Sequence, residues 1–358
     1  MAKPFFFIMG RPRSGTTLLK TLFDAHPNVK IPSELPIFLP LYQKFKGVKN
    51  WDEKNITLFI DHIFKPDVFN NRRIENLKID RERFTEELLN PGQISSIQDL
   101  LIKFNEHAYS PFDKKEILLV GDKNPVYSIY TKRFIKIFPE ARFICIVRDY
   151  RDNFVSLRNL QEMKLEAPLL TLQIARWVHI TRLFHRCAAR YPERFCIVRY
   201  EDLVQQPEKT FESLCGFLNI PYSPGVFNFH MKKDEILNTF QNPAIEIIHK
   251  SLMSPVNTGR MNLWKEQMTA AEIQVADQIA GSTADLMHYE RAGKSWYFSI
   301  FMRSIPMWLY CKLLFTMMTV GSRLPYRMSR SIALNLPGLV RFYSKLRGKG
   351  KTGNQPKQ

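Results

Sequence analysis

The chain has 358 residues, 45% of them hydrophobic and 24% charged, which is the composition of a globular protein with a sizeable core. Its five cysteines are odd in number and form no Cys-x-x-Cys pair, which argues against a disulfide scaffold or a zinc cluster and for buried free thiols in a reducing compartment. The net charge of +18 is uneven, because thirteen Lys and Arg and no acidic residue follow position 290. No recognition motif accompanies this charge, so nucleic-acid binding is not predicted.

Short apolar segments alternate with helical patterns along most of the chain. Buried strands are predicted at residues 4–9, 117–120, 142–147 and 195–199. Helices are predicted at residues 15–25, 127–138, 151–160, 169–190 and 208–218, with a mostly helical pattern over 40–115. This alternation predicts an α/β protein, a P-loop NTPase-like three-layer fold with a central parallel sheet and a helical C-terminal extension.

Ligands of such sheets bind at the carboxyl ends of the strands. Polar clusters do follow the four predicted strands, at residues 10–17, 121–124, 148–151 and 200–202. The apolar run at residues 5–9 is too short for a secretory signal, so we expect a cytoplasmic protein.

The first polar cluster, from Gly10 to Thr17, has the frame G-x-x-x-x-G-x-T between a strand and a helix. In such a loop the glycines permit a tight turn, and backbone N–H groups converge on an anion at the helix N-terminus. The predicted contacts are Arg13, Ser14, Gly15, Thr16 and Thr17. A nucleoside triphosphatase has Lys where Thr16 stands, so a P-loop kinase or NTPase is the weaker alternative. A phosphosulfate carries less charge than a triphosphate, and no metal is expected.

The run GRPRSGTTLL, followed by DAHPNV, resembles the 5'-phosphosulfate loop of the sulfotransferase family, especially the branch with the protein-tyrosine and carbohydrate enzymes. The likeness extends over roughly residues 5–290. It implies a sulfotransferase that uses 3'-phosphoadenosine 5'-phosphosulfate (PAPS) and releases 3',5'-bisphosphoadenosine (PAP). The acceptor would offer a hydroxyl or an amine.

A second anion site is predicted after the third strand. Arg148 stands at the strand end, and Ser156 follows eight residues later in the next helix. The resemblance implies that these two residues hold the 3'-phosphate of PAPS. In the alternative interpretation, Arg148 and Asp149 pair with each other and cap the helix. The resemblance also implies nucleotide contacts from Tyr200, in the segment YEDL, and from Arg260, in the segment SPVNTGRMNLW.

Two residues are candidates for the chemistry besides Arg13. Lys123 follows the second strand, where an ammonium group can stabilise the leaving phosphate oxygen. Many soluble sulfotransferases use a His base after the 3'-phosphate strand, but helix 151–160 has none. The stretch IPSELP resembles the position of a Glu base in other members, which implies that Glu34 accepts the proton. His26 and His107 are weaker rivals.

The predicted sulfotransferase domain ends near residue 290, and residues 291–358 form a hydrophobic and basic extension. Residues 296–320 are rich in apolar side chains but contain Arg303, Pro306 and Lys312, which disfavours a transmembrane helix. The pattern favours a peripheral anchor on an anionic membrane surface. A lipid, sterol or glycan acceptor would then be favoured over a cytosolic phenol. Packing on the domain or on a second subunit in a homodimer stays open, as does a catalytically silent, membrane-associated nucleotide-binding protein.

Overall fold

The computed structural model describes residues 3–65, 74–90, 92, 94–161, 169–237 and 254–331. Its strands are β1 (Phe5–Gly10), β2 (Val29–Lys30), β3 (Leu119–Lys123), β4 (Arg142–Val147) and β5 (Phe195–Arg199). The helices of the first half are α1 (Thr16–Ala25), α2 (Phe38–Phe45), α3 (Glu53–Phe64), α4 (Arg81–Leu89), α5 (Ile97–His107) and α6 (Thr131–Ile137). Short 3₁₀ helices cover Glu75–Leu77, Pro125–Tyr130 and Pro224–Lys232.

Helices dominate the remainder of the described chain. They are α7 (Tyr150–Gln161), α8 (Leu170–Arg190), α9 (Tyr200–Gln205), α10 (Pro207–Leu218), α11 (Lys233–Leu237), α12 (Trp264–Gln267), α13 (Ala270–Ala280), α14 (Ser282–Leu286) and α15 (Phe298–Gly321). The elements thus alternate between strand and helix up to β5, as predicted.

The sheet has five parallel strands in the order β2-β3-β1-β4-β5. Strand β1 lies at its centre, and its FFFIM run is buried on both faces, as a central parallel strand requires. One hydrophobic core lies on the side of Phe7 and Met9, with helices α5, α6 and α8. The other lies on the side of Phe6 and Ile8, with α1 and α10. The predicted three-layer α/β architecture with a parallel sheet is therefore confirmed.

Three details differ from the sequence predictions. Strand β3 begins at Leu119 and runs through Lys123, two residues later than predicted, because Leu118 is exposed while the polar end pairs with β1. The cluster at residues 200–202 is the first turn of helix α9. Strand β2 was not predicted, since two residues are too few to show a periodic pattern.

Helix α15 belongs to the predicted extension and packs against α8. Its side chains Ser304, Cys311 and Phe315 are buried, and the last two join the core that contains Phe7. Within the described residues, no helix is long and apolar enough to cross a membrane. All five cysteines are free, and Cys196 alone is not fully buried, which agrees with the predicted free thiols.

Candidate active site

The loop between β1 and α1 turns at the carboxyl edge of the sheet. Arg13 and Gly15 both have a positive φ, of 67° and 92°, so the backbone at Ser14 lies between two left-handed residues. Alternation of this kind directs successive N–H groups to one side and forms a concave site for an anion. Ser14 N donates to Arg11 O at 3.2 Å, which closes the turn. Helix α1 then begins at Thr16 with its free N–H groups at the same place.

Two polar side chains from other elements hold the loop. Ser128 accepts from Gly10 N at 2.9 Å and donates to Gly10 O at 3.0 Å. Asn153 donates to Pro12 O at 2.8 Å and to Ser14 Oγ at 3.2 Å. Sequence reasoning missed both residues. Their signal was weak, because each lies in a helix remote in sequence from the loop and belongs to no recognised motif.

Arg11 attaches the loop to helix α8. Its guanidinium donates to Gln173 O and Gln173 Oε1, both at 2.7 Å, and its side chain is buried against helix α8. The loop therefore contains two arginines with different surroundings: Arg11 holds the loop to α8, while Arg13 faces the second predicted anion site.

The guanidinium groups of Arg13, Arg148 and Arg260 converge beside the loop. Arg148 donates to Arg13 O at 3.1 Å and to Arg260 O at 2.5 Å, and Arg13 Nε donates to Ser156 Oγ at 3.0 Å. Burial, with the charges of Arg260 and Arg148, lowers the pKa of Arg13 from its ordinary value to about 10. Burial and the charge of Arg148 also lower the pKa of Arg260, although Tyr200 opposes them. This concentration of positive charge favours an anion.

The structure therefore brings together Arg13, Arg148, Ser156 and Arg260, which come from three separate segments of the sequence. Ser156 contacts Arg13 directly. Arg148 instead contacts the backbone carbonyls of Arg13 and Arg260 and the ring of Tyr200. The alternative pairing of Arg148 with Asp149 is wrong, because the carboxylate of Asp149 binds Arg151 at 2.7 Å.

The Arg260 segment is held by a buried carboxylate. Asp152 accepts from Asn262 N at 2.7 Å and from Trp264 N at 3.0 Å. The Trp264 ring in turn lies 3.7 Å from the guanidinium carbon of Arg151. These contacts hold the backbone of the segment that carries Arg260.

Tyr200 forms one wall of the site. Its ring lies 4.8 Å from the guanidinium carbon of Arg148, and a Cβ added at Gly15 would approach Tyr200 Cδ2 to 2.4 Å. The ring is 5% exposed, so its described contacts are with protein. Burial raises the pKa of Tyr200, although the charge of Arg148 opposes this. Direct contact of this ring with a nucleotide stays a prediction.

Lys123 and Glu34 meet on the other side of the loop. Lys123 Nζ donates to Glu34 Oε1 and, at 3.2 Å, to Thr17 Oγ1. The lysine is buried, whereas the Glu34 side chain is 42% exposed. Burial lowers the pKa of Lys123, and the contact with Glu34 acts in the opposite sense. A cation, a carboxylate and a hydroxyl thus converge within reach of the anion loop.

A small cavity of about 20 Å³ lies between this pair and helix α1. Its polar lining includes Lys20, Thr21, Asp24 and Ser33, and its apolar lining is Pro111, Phe112 and Ile236. Sequence reasoning missed the cavity because its walls come from segments separated by more than 70 residues.

Two other ionisable groups near the sheet edge are enclosed. Asp122 precedes Lys123, is 2% exposed and accepts from Asn124 Nδ2 at 2.7 Å. Burial raises its pKa to about 8. His26 bonds to Pro221 O at 2.8 Å at the C-terminus of α1, while His107 pairs with Glu87 on a remote face. The structure therefore places neither histidine beside Lys123.

No group of three or more His, Cys, Asp and Glu side chains within the described residues is arranged to hold a metal ion. The expected metal-free reaction stays a prediction.

Comparison with known proteins matches residues 4–224 to the model of the sulfotransferase family. Protein-tyrosine sulfotransferase 1 of Danio rerio is 25% identical over 266 residues, covering 73% of this chain and 65% of the relative. The protein-tyrosine sulfotransferase of Drosophila melanogaster is 24% identical over 283 residues, covering 77% of this chain and 50% of the relative. The chain thus spans between half and two-thirds of the length of these relatives.

Among solved structures, the sulfotransferase domain from the curacin biosynthetic pathway has a TM-score of 0.49 and 20% identity. That alignment covers 81% of this chain and 99% of the domain.

Proposed function

The chain belongs to the sulfotransferase family, and we propose that it transfers a sulfuryl group from PAPS to an acceptor hydroxyl or amine. The observation that carries this proposal is the turn with left-handed Arg13 and Gly15 after β1, next to a cluster of three arginines at the same edge of the sheet. The loop after β1 suits the 5'-phosphosulfate, and the cluster of Arg13, Arg148 and Arg260 suits a second phosphate. ATP has no 3'-phosphate to occupy such a cluster, so this arrangement and the family favour PAPS over the substrate of a P-loop kinase or NTPase.

Each predicted residue receives a role in the proposed reaction. The amides of Ser14, Gly15, Thr16 and Thr17 bind the 5'-phosphosulfate. Arg13, which the sequence assigned to the phosphosulfate, contacts Ser156 and is therefore assigned to the 3'-phosphate with the rest of the cluster. Arg148, Ser156 and Arg260 bind the 3'-phosphate, and Tyr200 closes the site beside them.

The reaction is an in-line displacement at sulfur. A bond forms between the acceptor oxygen or nitrogen and sulfur, while the bond from sulfur to the bridging oxygen of PAPS breaks. The electron pair goes to the 5'-phosphate of PAP. Lys123 stabilises this developing charge, and Glu34 takes the proton of the acceptor. The contact of Lys123 with both Glu34 and Thr17 supports these roles, since it places the two groups at the same point beside the loop.

The acceptor in this proposal binds at the exposed side chain of Glu34. The cavity behind it, lined by Phe112 and Ile236, has a volume of only about 20 Å³, enough for a water molecule and too small for the acceptor. Two acceptor classes follow from different observations. The names of the relatives favour the phenol hydroxyl of a protein tyrosine. The apolar side chains exposed on helix α15 favour a lipid, sterol or glycan at a membrane, and with it a peripheral location in the cytoplasm.

Two measurements test the donor and the mechanism. In calorimetry, PAP is expected to bind more tightly than ATP, and tight binding of ATP alone would overturn the proposal. Labelled PAPS is then incubated with pools of lipids, sterols, glycans and tyrosine peptides to identify the acceptor. The Lys123→Ala variant is expected to lose transfer while still binding PAP. Unchanged transfer would remove Lys123 from the mechanism, and absence of transfer by the unaltered protein in every pool would favour the catalytically silent alternative.

A further inference from the structure

A large cavity lies beside helix α8, where His179, Leu183 and Arg186 line it. It is a groove of about 590 Å³ between α6, α8 and the C-terminal half of α15. Its apolar lining comes from all three helices and includes Ile137, Leu183, Phe315 and Val320. This volume lies within the range of about 300–1,000 Å³ that is typical of small-ligand sites.

The groove is strongly basic. Five cations line it and no acidic residue does, and the cations are Lys132, Arg133, Lys136, Arg186 and Arg323. Within the described part of the chain, none of the five forms a salt bridge. The charge is therefore not neutralised by a neighbouring carboxylate.

Internal contacts fix the shape of this groove. Arg133 donates to Ser322 Oγ at 2.9 Å, and Gln43 donates to Ser322 O at 2.7 Å. The His179 ring packs 4.6 Å from that of Phe315. Burial lowers the pKa of His179, and the charges of Arg186 and Lys132 add to this effect. The His179 imidazole thus lies among the cations that line the groove.

Helix α15 exposes an apolar face beside the groove. Leu309, Leu313, Met317 and Val320 are each more than half exposed, and their spacing of three or four residues places them on one face. Val320 also lines the groove, so the two surfaces are continuous. We call these four residues the α15 face.

The cations of α15 flank this face. Arg303 and Lys312 were expected to interrupt the apolar pattern. On a helix with 3.6 residues per turn they lie about 100° to either side of the exposed stripe, while the opposite side packs on α8. Such an arrangement suits a helix that lies flat in a membrane interface, because the cations can reach the headgroups on both sides.

We propose that the groove binds the phosphate-bearing headgroup of an anionic phospholipid whose acyl chains lie along the α15 face. This inference rests on the membrane contact proposed above and adds to it a specific site on the folded domain. Charge complementarity favours the occupant, because a cluster of cations without acidic neighbours meets a phosphate and the adjoining apolar stripe meets the chains. A nucleic acid would leave that stripe exposed to water.

The test uses the full chain with two kinds of vesicle, pure phosphatidylcholine and a mixture of phosphatidylcholine with phosphatidylglycerol. The groove variant is Lys136→Glu with Arg186→Glu. The matched control is Lys54→Glu with Lys209→Glu, which changes the net charge equally at exposed positions outside the groove. A third variant, Leu313→Glu, tests the α15 face. Flotation measures the bound fraction, and calorimetry with PAP checks that the donor site is intact.

The unaltered protein and the control are expected to prefer the mixed vesicles. The groove variant is expected to lose roughly 30-fold in affinity for them, since each of the two basic residues near an anionic surface contributes about fivefold. Its binding to pure phosphatidylcholine should not change. Leu313→Glu should weaken binding to both vesicles.

Equal losses in the groove variant and the control, or no loss in either, would overturn the headgroup site while leaving the membrane contact standing. Failure of the unaltered protein to bind either kind of vesicle would overturn both the headgroup site and the membrane contact. In that case a doubled mass in light scattering would assign the α15 face to a second copy of the chain. None of these outcomes alters PAP binding, which tests the sulfotransferase proposal separately.

Discussion

Arg260→Gln tests whether the arginine cluster holds a second phosphate. In the described contacts, Arg260 receives a bond from Arg148 at its carbonyl, and its guanidinium lies beside like charge. Glutamine preserves the backbone carbonyl and much of the side-chain length while removing the cation. The variant should therefore fold with a free energy of unfolding equal to or slightly above that of the unaltered protein, because it removes a half-buried charge beside a like charge.

The affinity for PAP, unlike the free energy of unfolding, should fall clearly in this variant. A hydrogen bond to a charged group contributes roughly 1.5–3 kcal/mol, and about 1.4 kcal/mol is a factor of ten in Kd. PAP should thus bind about 10- to 150-fold more weakly. Adenosine 5'-phosphate, which lacks the 3'-phosphate, should bind with nearly unchanged affinity. Calorimetry with both nucleotides, and urea unfolding without ligand, measure the two effects.

Lys265→Gln is the matched control, because this exposed lysine lies in the same segment and loses the same charge. It should leave the ratio of PAP to adenosine 5'-phosphate affinity unchanged. An equal loss for both nucleotides in Arg260→Gln would refute the assignment of Arg260 to the 3'-phosphate. Loss of stability by more than about 1 kcal/mol would instead indicate a structural role.

Three further predictions concern the loop and its surroundings. Glu34→Gln should lower the transfer rate about 10²- to 10⁴-fold with little change in PAP affinity, and an unchanged rate would assign the base elsewhere. Gly15→Ala should lower the free energy of unfolding, measured by thermal unfolding, by about 1–3 kcal/mol and should weaken PAP binding, because φ is 92° at Gly15 and the new Cβ would meet the ring of Tyr200. Gly47→Ala is the control, because a Cβ at Gly47 lies in open space, and it should change neither stability nor PAP binding. Burial raises the pKa of Asp24, but two lysine ammonium groups outweigh it and hold that pKa below its usual range. The ionised Asp24 carboxylate therefore stabilises the fold above the unfolded pKa of about 3.9, and this stabilisation is lost as the pH falls. Asp24→Asn should lower the free energy of unfolding in urea by roughly 3–5 kcal/mol near neutral pH and by much less near pH 3.

The sequence predicted the features that local patterns determine. The loop from Gly10 to Thr17, Lys123 and Arg148 each follow or end a buried strand, and parallel strands bring such positions to one edge. The start of β3 was misplaced because Ile117 and Leu118 continue the apolar run outside the sheet.

Other features depend on contacts between distant segments. Glu34 and Lys123 are 89 positions apart, so no local sequence pattern predicts the contact between them. The same is true of Arg260, whose position depends on the carboxylate of Asp152. Helix α15 illustrates a different limit. Its apolar residues surround the axis, so periodicity could not separate the face that packs on α8 from the face that is exposed.

Helix α8 connects the loop after β1 and Arg148 to helix α15. Near its start, Gln173 accepts both bonds from Arg11, and Trp177 Nε1 donates to Arg148 O at 2.8 Å. Two residues further on, His179 meets Phe315 of α15. With a rise of 1.5 Å per residue, Gln173 and His179 are about 9 Å apart along one rigid rod. A displacement of α8 along its axis would therefore move the contacts of Arg11 and Arg148 together with the contact to α15. If such a displacement changed the affinity of a ligand at the sheet edge, linkage would require an equal change in affinity for a partner bound on α15.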